Sequence, residues 1–265
     1  MTINPLPWLG AVGALASALV AVPAIADPWT MPAGKGRVIV TAIYSQASRT
    51  FDDQGKAQQA PDYDQYQVYF QGEYGVTDDL TLLATPSLRR VTVQNGDDSS
   101  GLGYTQLGAR YRLFNRDGFV VSAQASEYIP GVRRRDRVAQ IGSTDFQTDL
   151  RAQIGYSFKI GRVDAFASAD GGYRFRGDGQ PNEIHGDFTL GIHATKRLLL
   201  VGNSFNTWSD GAGSQVPAYR YNSIYAGAAY DLSDHVTLQL GGLTTASGRN
   251  ALRERGIYTG VWIKF

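Results

Sequence analysis

The strongest constraint on this chain is a two-residue rhythm that recurs along most of its length. Around 65–74, Tyr66, Val68, Phe70, Gly72 and Tyr74 oppose Gln65, Gln67, Tyr69, Gln71 and Glu73. Over 144–158, Phe146, Thr148, Leu150, Ala152, Ile154, Tyr156 and Phe158 share one side, against Asp145, Gln147, Asp149, Arg151, Gln153, Gly155 and Ser157. The segments from 162 and from 184 repeat the pattern, with Val163, Ala165, Ala167, Ala169 and Tyr173 on one apolar face and Ile184, Phe188, Leu190 and Ile192 on the other segment's. Successive strand side chains point to opposite faces, so each segment reads as a strand with one apolar and one polar side. The polarity of 198–209 and 219–230 is mixed, and no face is assigned there.

Two kinds of connection separate these strands. Short ones (76–79, 115–118, 160–161, 195–197 and 232–235) use Asn, Asp, Ser and Gly as tight turns do. Longer polar ones fall near 51–61, 94–101, 131–143, 176–182, 210–218 and 248–251. The two kinds alternate, which predicts about twelve strands. Sorting connections by length is the layout of an outer-membrane barrel, with short turns in the periplasm and long loops outside. The expected fold is therefore all-β, a transmembrane antiparallel up-and-down β-barrel over 36–265. Aromatic residues at strand ends, such as Tyr74, Tyr111, Phe119, Tyr156 and Tyr230, fit interfacial girdles.

The final segment, Gly256–Phe265, carries the same alternation. Ile257, Thr259, Val261, Ile263 and Phe265 form its apolar face. A barrel closes by pairing its last strand with its first, which leaves no edge. Phe265, Ile263 and Val261 are accordingly expected to be the assembly signal read by the barrel assembly machinery. At the other end, residues 8–22 form an apolar run followed by Pro23 and Ala24-Ile25-Ala26, which reads as a secretory signal peptide over 1–26. No Lys or Arg precedes that run. Residues 27–35, with two prolines and a glycine, read as an irregular periplasmic lead-in.

Composition excludes several functions. The chain has no Cys, which rules out disulfides, thiolate metal sites and a cysteine nucleophile. A formal charge of +1 removes any electrostatic case for nucleic-acid binding. The three histidines suggest no metal site: His185 and His193 are eight residues apart, some ~26 Å along a strand, and His235 lies in a turn. No cofactor is expected. A barrel hydrolase would need a Ser–His pair near the outer lipid boundary. His185 faces inward and no motif frames it, so no catalytic residue is assigned.

Function is then expected on the inner face. Glu73, Arg89, Arg110, Arg112, Asp149, Arg151, Asp170, Arg174, His185 and Asp187 fall there, with Asp164. They suit a narrow polar lumen that passes or binds a small solute. They equally suit a lumen filled by its own ion pairs, since buried charges must be paired. Arg133, Arg134, Arg135 and Arg137 in the third long loop would attract anions or the phosphates of lipopolysaccharide.

Several stretches resemble the outer-membrane proteins grouped as the putative MetA-pathway-of-phenol-degradation family. They are Trp29–Gly36, Phe51–Gly55, Tyr74–Leu82, Gly101–Arg112 and Ile129–Gly131. The resemblance implies a transporter-like barrel of the bacterial outer membrane that takes up aromatic or other small compounds, and it brings no catalytic residues. Where that family's glycine-rich stretch usually continues with Asp, this chain has Tyr104.

Overall fold

The computed structural model describes residues 27–265 apart from 95, 97, 132–144, 178 and 213–215. The signal-peptide expectation and the arginine loop at 133–137 lie outside the described residues. What is described is a closed antiparallel barrel of twelve strands. They are β1 (Gly36–Phe51), β2 (Ala57–Gly75), β3 (Leu80–Thr85 and Ser87–Val93), β4 (Ser99–Leu102 and Thr105–Arg116), β5 (Phe119–Ile129) and β6 (Gln147–Ile160). There follow β7 (Val163–Arg176), β8 (Glu183–His193), β9 (Leu198–Ser209), β10 (Tyr219–Asp231), β11 (Val236–Arg249) and β12 (Ala251–Leu252 and Arg255–Lys264). The break in β3 falls at Pro86, which has no N–H for the ladder.

Closure is made by β1 and β12, paired from Arg37↔Lys264 to Gln46↔Arg255. Phe265 completes it. Its N–H donates to the Gly36 carbonyl at 3.0 Å, and the Gly36 N–H donates back to the Phe265 carbonyl at 2.9 Å. The ring lies over Gly36, where a Cβ would stand 2.5 Å from it. Phe265 therefore pins the seam of the barrel while 58% of it stays exposed toward lipid. Deleting Phe265 removes both hydrogen bonds and the ring contact together. The expected result is loss of most of the heat-modifiable, protease-resistant barrel on a gel; normal insertion would refute this role.

The faces assigned on β2, β6, β7 and β8 are those observed. Leu150, Ile154, Ile184, Phe188 and Leu190 are exposed, while Gln65, Gln147, Asp149, Asp170 and Asp187 are buried. Exposed aromatics form two belts, with Tyr74, Tyr111, Phe119 and Tyr230 toward the turns and Tyr66, Phe146, Phe175 and Trp208 toward the loops. Tyr66 and Tyr74 are ~26 Å apart along β2, close to the height of a membrane-spanning apolar band.

Two outer connections differ from expectation. The first is a tight turn, Asp52–Lys56, because β1 and β2 run on beyond the membrane as a hairpin. The Asp52 carboxylate accepts from the backbone N–H groups of Gln54 and Lys56, which holds its pKa below the usual value. The last turns at Asn250, in the left-handed region at φ 49°, a conformation that Asn tolerates. Their polar composition reads as loop, but cross-strand pairing outside the membrane accepts polar residues.

Candidate functional site: the barrel lumen

Seven charged side chains and His185, on β6, β7 and β8, meet inside the barrel. Arg151 is the hub. Its Nε donates to Asp149 Oδ1 at 2.7 Å, and its Nη1 reaches Asp170 Oδ1 at 2.7 Å and Asp187 Oδ2 at 2.8 Å. Arg174 bridges Asp149 at 3.0 Å and Glu183 at 3.2 Å, and its guanidinium lies over the Tyr128 ring at 4.7 Å. Arg176 donates to Glu183 at 2.9 Å, and the Tyr219 hydroxyl from β10 donates to the same carboxylate at 2.6 Å. His185 sits between Glu183 at 3.4 Å and Thr207 at 3.3 Å. Strand pairing explains the convergence: Arg174↔Asp149, Asp170↔Asp187 and Glu183↔Arg174 are direct cross-strand neighbours.

A second set lies on β2 and β3. Arg89 donates to the Tyr63 hydroxyl at 2.9 Å and to Gln65, which continues to Gln67 at 2.9 Å. A third lies toward the turn end, where Glu73 is held by Arg37, and by Arg110 at 3.5 Å. Nine of the ten residues assigned to the lumen thus do face it. Arg112 does not join them: it pairs with Asp79 of the first turn at 2.7 Å, at the rim. Asp164 likewise stands at the rim, the second residue of β7, 65% exposed and paired with Lys159 across the strands.

The lumen is less polar than expected. Three apolar clusters stack along the inner face of β1. Ala47 packs with Tyr63, Val91, Val93 and Leu252 near the loop end. Ile43 packs with Tyr69, Phe205, Tyr225, Leu243 and Tyr258 at mid-height. Ile39 packs with Leu199, Ala229 and Trp262 near the turn end, with Phe166 against them. Phe205 and Tyr225 meet edge to face at 5.2 Å. This apolar ladder, ~26 Å from Ala47 to Ile39, covers the wall from β9 round to β3, across from the β6–β8 network. Its residues on β9 and β10 are those whose face was unassignable. There the lipid side carries Ser204, Asn206 and Asn222, which satisfy one another: the Asn222 amide donates to Ser204 Oγ and Asn206 Oδ1 at 2.7 Å each.

The lead-in is also part of the site. The Ser122 hydroxyl of β5 donates to the Pro28 carbonyl, and Arg110 of β4 donates to the Trp29 carbonyl at 3.1 Å. The Trp29 indole meets Phe166 of β7 edge-on at 5.6 Å. Asp27 stands 3.7 Å from Arg37 of β1. Burial raises the Asp27 carboxyl above the ordinary aspartate pKa, against the pull of Arg37 and Arg110. Nothing in the composition of 27–35 signals this, because two of its links to the wall are made by backbone carbonyls.

Tyr104, the departure noted in the glycine-rich stretch, is buried. Its hydroxyl donates to the Asp145 carbonyl at 2.9 Å and accepts from the Gln147 amide at 3.0 Å, tying β4 to the start of β6.

Comparison with solved structures shows the same architecture. An outer membrane channel from Pseudomonas putida F1 superposes with a TM-score of 0.75 at 18% identity, over 91% of this chain and 98% of that one. The translocator domain of the autotransporter NalP from Neisseria meningitidis gives 0.54 at 12% identity, over 88% and 89%. The NanC porin gives 0.53 at 9% identity, over 85% and 100%. No curated protein matches in sequence. The sequence model of the family described as "Putative MetA-pathway of phenol degradation" matches residues 33–265.

Proposed function

From a chain that belongs to this phenol-degradation-pathway family, we propose an outer-membrane barrel for passive passage of a small aromatic solute. The observation that carries it is the apolar ladder. A lumen meant only to be packed shut could pair its charges all the way round. This one gathers its largest charge network on β6–β8, with smaller sets around Arg89 and Glu73, and lines the opposite wall at mid-height with Tyr69, Phe205, Tyr225 and Tyr258. A ring sliding between those walls exchanges edge-to-face contacts with the aromatics, each worth ~0.5–1.5 kcal/mol beyond area burial, and meets polar groups on the other side. The fit is to a solute with an apolar ring and a polar edge. The named partners are that solute and the surrounding outer-membrane lipid.

The first test is conductance of the refolded protein in a planar bilayer, in salt and then with small aromatic acids and sugars. Discrete steps that aromatic acids block and sugars do not are the expected result. Silence from folded barrels would refute passage. It would favour the second reading, a non-conducting surface barrel engaging lipopolysaccharide through Arg133, Arg134, Arg135 and Arg137. The near-complete burial of the lumen side chains, with Asp149 at 1% and Gln65 at 0% exposure, is the observation on that side.

Within the passage reading, Tyr225→Ala is expected to weaken aromatic block by about tenfold, the equivalent of ~1.4 kcal/mol. Unchanged block, measured as the solute concentration giving half conductance, would remove the mid-height cluster from the path.

A further inference from the structure

Residues 27–32 cross the turn end of the barrel from wall to wall. Asp27 is held at β1 by Arg37, while Pro28 reaches β5 at Ser122 and Trp29 reaches β7 at Phe166. Gly155 on the inner face of β6 makes room for them: a Cβ there would lie 2.5 Å from Pro28 Cγ and 2.7 Å from the Trp29 ring. Ser122, bonded to the strap at Pro28, is 0% exposed and Val120 2%, although both lie near the turn end of β5. The indole sits on Phe166, which itself packs on Ile39, Leu199, Ala229 and Trp262. Trp29 is therefore the last rung of the apolar ladder, and it stands across the exit.

The way the strap is held differs from the way a strand is held. It contributes no ladder. Its links across the lumen run from side chains of the wall to its carbonyls, plus one ring contact and one ion pair. At the rim the Thr30 hydroxyl donates to the Asp78 carbonyl at 2.6 Å and the Met31 N–H to Thr81 Oγ1 at 2.8 Å. Such a segment opens at far lower cost than the sheet around it. Its slot also has a definite chemistry, an aromatic edge with hydrogen-bond donors, Ser122 Oγ and Arg110 Nη1, on either side.

We infer that residues 27–32 are a built-in stopper, and that Trp29 occupies a terminal subsite for an aromatic ring at the periplasmic mouth. A solute leaving the ladder takes the place of the indole against Phe166, and the strap swings into the periplasm on Ala33–Lys35. The inference rests on the reading of the lumen as a path.

The chain has no cysteine, so a Pro28→Cys, Gly155→Cys pair can form only one disulfide. Channels of this variant are recorded oxidised and then reduced with dithiothreitol in the same bilayer, beside a variant lacking residues 27–32. Open steps that are absent when oxidised, appear on reduction, and are larger in the deletion than in the wild type would support the stopper. Equal steps oxidised and reduced, or a deletion that conducts like the wild type, would overturn it and leave the passage reading standing. A folded deletion variant that stays silent would overturn both.

Discussion

Replacing Arg151 by Ala is expected to cost ~3–5 kcal/mol, the largest effect of any single change in the lumen. One guanidinium satisfies Asp149, Asp170 and Asp187, and its side chain is only 14% exposed while the three carboxylates are 1–4% exposed. Removing it leaves three anions facing one another with water largely shut out, and no other cation reaches Asp170 or Asp187 among the described ion pairs. Asp149 would keep Arg174. The loss has a second consequence, because the free oxygen of Asp187 accepts the backbone N–H of Asn206 at 3.0 Å. That bond stands in for the missing Gly186–Asp187 to Phe205–Asn206 rungs between β8 and β9. A repelled Asp187 would therefore loosen the wall as well as the lumen. Equilibrium unfolding in lipid vesicles measures the cost. Adding Asp170→Asn to the Arg151→Ala variant should restore part of it. A cost below ~1 kcal/mol, the scale of an exposed pair, would mean that the network is solvated and the lumen wide.

What the sequence made legible, and what it did not, follows from where polarity contrast is strong. On β6 to β8 the contrast is complete, Leu150 against Asp149 and Arg151, Phe188 against Asp187, and both face and charge network could be read. On β9 and β10 the contrast is inverted. Leu199, Val201 and Phe205 point inward, while Ser204 and Asn206 point to lipid, so no rule based on average polarity can place them. The inverted stretch is the apolar wall, and so the aromatic half of the site was missed for the same physical reason that the faces were. Glu183 and Arg176, both central to the network, could have been found from the short connection between β7 and β8, which sets Glu183 opposite Arg174 and diagonal to Arg176. The strap could not. Its role depends on Gly155, 128 residues downstream of Asp27, lacking a side chain.

Leu150→Arg should cost ~2–4 kcal/mol, the value for a basic residue at the midplane of a barrel's lipid face. Leu150 is 48% exposed on the outer face of β6, between the exposed belts marked by Phe146 and Tyr156. Its cross-strand neighbours are Ala125 on β5 and Tyr173 on β7. They border a shallow outer groove whose floor is Ala109, Ala123, Ala152 and Gly171. That floor has no acidic group to receive a guanidinium, and the long side chain would have to climb past Tyr173 to reach the headgroups. Depth makes the prediction sharp. Phe146→Arg, at the belt itself, should cost only ~0–1 kcal/mol, since the penalty for a charge falls away at the interface. A large difference between the two variants in vesicle unfolding fixes both the face and the depth at which the barrel sits. Equal costs would place Leu150 at the membrane boundary and shift the whole barrel along its axis. The strap would then lie at a different depth from the one its position near Tyr74 and Phe119 implies.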